Sequence, residues 1–144
     1  NAPGFLSLDP PVTPHISNFL NRPALQRAPI GLITHSGAVG GVLGDRLLRA
    51  GVGLDWLICT GTEFDVGMGE CLEYLAERDL RAIGLFVEAV RDGEAFRRGL
   101  ARAAERGIRV LAVKVGRSAA GAHRSTQFAG AASGRGAAEV MAGD

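Results

Sequence analysis

Four short, mainly apolar runs constrain this chain more than any other feature: residues 29–34 (PIGLIT), 54–60 (LDWLICT), 82–90 (AIGLFVEAV) and 109–115 (RVLAVKV). None alternates apolar with polar, so each reads as a strand buried on both faces. Between them lie segments with helical spacing. Val39, Leu43, Leu47 and Leu48 share one face of residues 36–50, and Met68, Leu72 and Leu75 share one face of residues 66–79. Residues 93–107 form a third helix with an Arg- and Glu-rich outer face. Strand and helix in strict alternation predict right-handed βαβ crossovers and an open, doubly wound parallel sheet in three αβα layers.

The first 28 residues hold five of the six prolines and read as an irregular, extended arm or linker. The sheet domain is then residues 29–144. Periodicity fails over residues 116–136, a long Gly/Ala/Ser-rich loop of the kind that is functional or mobile, before a last short helix over 137–141.

At 144 residues and 47% hydrophobic content the chain is one globular domain. A net charge of +1 gives no field for nucleic acid or an anionic membrane. No apolar run is long enough to span a bilayer. Cys59 and Cys71 read as free thiols of a reducing, cytoplasmic compartment, and neither they nor His15, His35 and His123 have metal-ligand spacing, so no metal is expected.

In an open parallel sheet the ligand site lies beyond the carboxyl ends of the strands. Ser36, Gly37 and Ala38 start a helix directly from a strand end, where free N–H groups and the helix dipole suit a phosphate or carboxylate. Ser36 as a plain N-cap is the competing reading. Asp65 reads as a cap of the following helix or, with Glu63, as part of the pocket. Glu88 ends a strongly apolar run and needs a cation or N–H donor there. Lys114 reaches solvent or a carboxylate.

Taken in order, "THSGAVG", "GTEFDVG", "LFVEAVRDG" and "KVGRS" resemble the loops of the flavodoxin-like ligase domain of nucleoside-diphosphate-forming acyl-CoA synthetases, relatives of the succinyl-CoA synthetase α subunit. "NAPGFLS" is similar to the linker before that domain. The resemblance covers residues 29–134. It implies a flavodoxin-like fold and a fragment of a larger enzyme that converts a small carboxylic acid, CoA and ATP into acyl-CoA, ADP and phosphate. It also implies a CoA-binding domain, an ATP-grasp domain or subunit binding ATP with Mg, and a dimer or larger assembly. No cofactor is held tightly by this domain, which alone is expected not to turn over. By resemblance Ser36, Gly37 and Ala38 hold the phosphoryl group and Glu88 orients a phosphorylated histidine.

The departure is at that histidine. With Gly116 and Gly130 in register its position is Phe128, which has no lone pair to attack an acyl phosphate. His123 lies five residues earlier in the same loop. His35 stands where the family has Gln and reads as a hydrogen-bonding wall of the pocket. The alternative is a catalytically degenerate binding or regulatory module, as in some protein lysine acetyltransferases. A flavin site lacks an aromatic pair to sandwich the ring.

Overall fold

The computed structural model describes residues 4–14 and 25–116. Its elements are β1 (Gly4–Leu8), β2 (Pro11–Val12), β3 (Ile30–Thr34), α1 (Gly37–Arg49), β4 (Trp56–Cys59), α2 (Met68–Ala76), β5 (Ala82–Val87), α3 (Gly93–Glu105) and β6 (Arg109–Lys114). One six-stranded sheet runs in the order β2-β1-β4-β3-β5-β6. The four strands expected from the apolar runs are parallel, with Thr34 beside both Cys59 and Phe86 and Val87 beside Lys114.

The N-terminal arm is a correction. Residues 4–12 are not irregular: β1 pairs antiparallel with β4 and with β2, extending the sheet by two strands. Leu6 is fully buried and Ser7 nearly so. The prolines misled because they sit where a strand tolerates them. Pro10 falls in the turn, and Pro11 opens the edge strand, where a missing N–H donor costs little.

Alternating residues of β3 and β4 feed two separate cores, to which β1 and β5 each add on one side. Leu32 and Leu57 join Leu6 and Leu54 beneath Leu43, Leu47 and Leu48 of α1. Ile33, Ile83, Leu85 and Val87 pack against Leu72 and Leu75 of α2 and Phe96 of α3. Apart from Leu32 at 8% and the partly buried leucines of α1, these side chains are 0–3% exposed, and each contributes roughly 1.5–3 kcal/mol by leaving water. The α2–α3 pair is tight enough to exclude a Cβ at Gly69, which would lie 2.6 Å from Phe96 N and 2.7 Å from the Ala95 carbonyl carbon. On β6, the sheet's other edge, Leu111 and Val113 are exposed among the described residues. The expected helix at 137–141 lies outside the described residues. No described helix is long and apolar enough to cross a membrane.

Candidate functional site

The chain leaves β3 toward β4 on one side and returns to β5 on the other, so the strand order reverses at β3. Such a reversal opens a crevice at the carboxyl ends of the strands. The loops after β3, β4 and β5 meet there, beside the end of β6 at Lys114.

Ser36 has extended backbone (φ −102°, ψ 118°) and caps α1, its Oγ accepting from Val39 N at 3.4 Å. Gly40 N donates to Ser36 O at 2.9 Å. The N–H groups of Gly37 and Ala38 have no partner within the helix, as at any helix start. Thr34 Oγ1 donates to Ser36 O at 3.0 Å and so pins the turn from beneath. A Cβ at Gly40 would come within 2.8 Å of Cys59 Sγ and 2.9 Å of Thr34 Oγ1, so the glycine lets the first turn of α1 settle onto β3 and β4.

The three helix starts differ in charge. At α2, Glu63 Oε1 accepts from Met68 N and Glu70 Oε2 from Gly67 N, both at 2.7 Å. At α3, Asp92 Oδ1 accepts from Glu94 N and Ala95 N, both at 2.9 Å. Those two bonds, that from Ala95 first, hold the Asp92 carboxyl below its usual range. The first turn of α1 carries no acid. Its dipole is therefore left without a carboxylate from its own turn.

His35 is 1% exposed and so stands behind the pocket rather than forming its wall. Its Nδ1 lies 3.3 Å from both Glu88 N and Phe86 O. Its Nε2 is 3.0 Å from Glu63 Oε1, both side chains being buried, although the approach is not aligned as a good hydrogen bond. A carboxylate can only accept, so Nε2 carries the proton and Nδ1 is free to accept from Glu88 N. One imidazole thereby joins the ends of β3 and β5 to the loop after β4.

Glu63 is the site residue that sequence reasoning undervalued. Its φ of 51° is rare for a residue with a side chain. That conformation turns the carboxylate inward, where it meets His35 and Met68 N, with Arg91 Nε 3.7 Å from its other oxygen. Asp65 was expected to cap α2, but it is exposed and Glu63 and Glu70 take that role. The acidic phrase around residues 63–65 was a signal, but sequence cannot tell which acid turns in.

Glu88 follows β5 directly. Its N–H meets His35 and its carbonyl accepts from Lys114 Nζ at 2.9 Å. Its Oε2 is buried without a hydrogen-bond partner among the described residues. Lys114 also donates to Val115 O, so it ties backbone carbonyls across the β5 and β6 ends. His123 and Phe128 lie outside the described residues.

Neither thiol is a nucleophile. Burial pushes Cys59 up, against a smaller opposing effect of Thr34. Burial, with the charges of Glu63 and Glu70, pushes Cys71 up to about 12. Both stay protonated at neutral pH. No group of three His, Cys, Asp or Glu among the described residues could hold a metal.

The family model described as a succinyl-CoA ligase like flavodoxin domain matches residues 27–142. The chain is 26% identical over 110 residues to the α subunit of ADP-forming acetate–CoA ligase II of Pyrococcus furiosus, covering 76% of this chain and 24% of that subunit. It is 29% identical over 107 residues to the α subunit of ligase I of the same organism, covering 74% and 23%. It therefore spans about a quarter of these relatives. The structure of acetyl-coenzyme A synthetase 1 of Ca. Korarchaeum cryptofilum, in complex with phosphate and ADP, superposes with a TM-score of 0.78 at 19% identity. That match covers 96% of this chain and 30% of the other, and at that identity it speaks to fold.

Proposed function

The chain belongs to the family of succinyl-CoA-ligase-like flavodoxin domains, and from that premise we propose that it is the phosphoryl-holding domain of an ADP-forming acyl-CoA synthetase. The reaction of such an enzyme joins a small carboxylic acid to CoA while ATP becomes ADP and phosphate. The observation that carries the reading is the start of α1, a 13-residue helix at the strand-order reversal whose first turn carries no acid. The N–H groups of Gly37 and Ala38, with Ser36 Oγ, offer donors to phosphoryl oxygens. Glu88 lies on the neighbouring strand end with a buried, unpartnered Oε2, which suits a carboxylate that orients a nitrogen donor.

CoA and ATP with Mg would be bound by a CoA-binding domain and an ATP-grasp domain or subunit elsewhere in the assembly. Within this chain the work is to bind the phosphoryl group and keep water from crowding it. Phe128, at the relay position by resemblance, supplies no nucleophile, and His123 lies in the same loop. That one residue favours a second reading, in which the pocket is kept for binding or regulation and the relay is lost.

The test follows acyl-CoA formation and acid-labile, base-stable protein phosphate in the full-length protein, with ATP, CoA and a panel of carboxylic acids. Ser36→Ala and Phe128→His are compared with wild type. Turnover that Ser36→Ala reduces at least tenfold supports the synthetase reading. Phosphorylation only of Phe128→His supports the binding module. No phosphorylation of any form overturns the phosphoryl site.

A further inference from the structure

A second recess lies apart from the α1 start, on the α2 face of the sheet. There β1 and β2 carry the sheet past the helix that covers β4. Trp56 and Ile58 point to this face from alternate positions of β4, Thr60 lines the recess just past the end of that strand, and Phe5 sits beside Ile58 in register. The recess has a volume of about 870 Å³, within the range of roughly 300–1,000 Å³ in which proteins hold small molecules.

Its lining is unlike the rest of the surface. Phe5, Trp56, Phe64 and Tyr74 are four of the eight aromatic residues in the chain (six Phe, one Trp, one Tyr). Trp56 and Tyr74 meet edge to face at 5.5 Å, and Arg78 covers the Tyr74 ring at 4.1 Å, so Tyr74 is held on two sides. Phe64 is fully exposed beside the recess, an apolar ring with nothing to stack on among the described residues.

Two polar features narrow what fits. Thr60 is 91% buried, and its Oγ1 has no hydrogen-bond partner among the described residues. A buried hydroxyl without a partner is costly, so a ligand that supplies one gains by it. The charged residues of the lining are Asp65 and Glu70, both acidic, and none is basic. In a chain with 16 basic residues, that lining repels anions and favours neutral or cationic guests.

We propose that this recess binds a small, flat aromatic molecule that is uncharged or cationic and hydrogen-bonds Thr60 Oγ1. Rings stack on Phe64, Trp56 and Phe5, and a cationic group meets Asp65 and Glu70. Ser36 does not line the recess, so the site stands or falls independently of the phosphoryl reading.

The experiment uses the full-length protein with 2-naphthylmethylamine, 2-naphthamide and 2-naphthoate, read by ligand-observed NMR and calorimetry. The amine and amide are expected to bind, with naphthoate weaker by about fivefold or more at low salt. Phe64→Ala and Thr60→Val should each weaken naphthamide by about three- to tenfold. Phe64 is exposed, so its variant tests the site even if Thr60→Val fails to fold. Absence of binding overturns the proposal, including absence because another segment of the longer protein fills the recess. So does naphthoate binding as tightly as the amine, or binding that Phe64→Ala leaves unchanged.

Discussion

Replacing His35 by leucine is the severest test of the clamp behind the site. The imidazole and the Glu63 carboxylate are 1% and 3% exposed and 3.0 Å apart. Leucine removes the partner of the carboxylate and the acceptor of Glu88 N. Glu63 keeps Met68 N at 2.7 Å and Arg91 at 3.7 Å, so the loss is partial. As Nδ1 accepts from Glu88 N, what the buried carboxylate loses is the Nε2–H donor, at about 3 kcal/mol for a charged group, and the orphaned Glu88 N–H adds about 1–3 kcal/mol. With Arg91 moving in, a net loss of about 3–5 kcal/mol is expected. At roughly 3–5 °C per kcal/mol for a domain of this size, Tm falls by about 10–20 °C. His35→Gln places an acceptor toward Glu88 and a donor toward Glu63, and should cost only about 1 kcal/mol. Glu63→Gln should destabilise wild type by about 1–2 kcal/mol yet stabilise His35→Leu, because it removes the uncompensated charge. Urea melts of wild type, the three single variants and the His35→Leu/Glu63→Gln double variant measure this. If His35→Leu lies within 1 kcal/mol of wild type, or Glu63→Gln makes it worse, His35 does not support the buried Glu63 carboxylate.

Three further substitutions probe other parts of the fold. Leu6→Ala should cost about 2–5 kcal/mol in urea denaturation, because Leu6 is fully buried beneath α1; a loss under 1 kcal/mol would mean that β1 is dispensable. Gly69→Ala drives a Cβ into the backbone of Ala95 and Phe96 and should cost about 1–3 kcal/mol despite its better helix propensity, with an unchanged Tm contradicting the packing. The Cys71 thiol, about 12 in the folded chain against an ordinary 9.0, stays protonated in the fold after the unfolded chain has lost its proton. Its contribution is therefore complete below pH 9 and falls as pH rises toward 12, by up to about 4 kcal/mol. The gap in stability between wild type and Cys71→Ala should narrow from pH 8 to pH 10.5, and a constant gap would show that the thiol does not titrate late.

The parallel part of the sheet was legible because each inner strand is apolar on both faces, and only a sheet between two helix layers buries such strands. The doubly wound parallel class and the Ser36 start of α1 follow from that alternation and the Ser-Gly-Ala turn, whereas the flavodoxin-like assignment rests on the resemblance of the loops. The N-terminal hairpin was hidden because proline density is a local signal, whereas Pro10 and Pro11 are made harmless by a turn and an edge that only tertiary pairing defines. Glu63 was hidden for a related reason. A positive φ at a non-glycine residue has no sequence signature, and without it Asp65 looks the better cap.

These contacts bear on how the site should be interpreted. Thr34 and Gly40 seat the turn at Ser36 while also packing α1 on the sheet, and His35 and Glu63 tie the strand ends together while Glu63 also caps α2. A chain that had lost phosphoryl transfer would still need all four to stay folded. The pocket would therefore outlast its chemistry, and an intact Ser36 turn beside Glu88 does not by itself argue for turnover. The residue that separates synthetase from binding module must lie outside these four contacts, and the relay position, Phe128 by resemblance, is the one we propose to test. Chemistry at Phe128→His, rather than the integrity of the pocket, is what decides between the two.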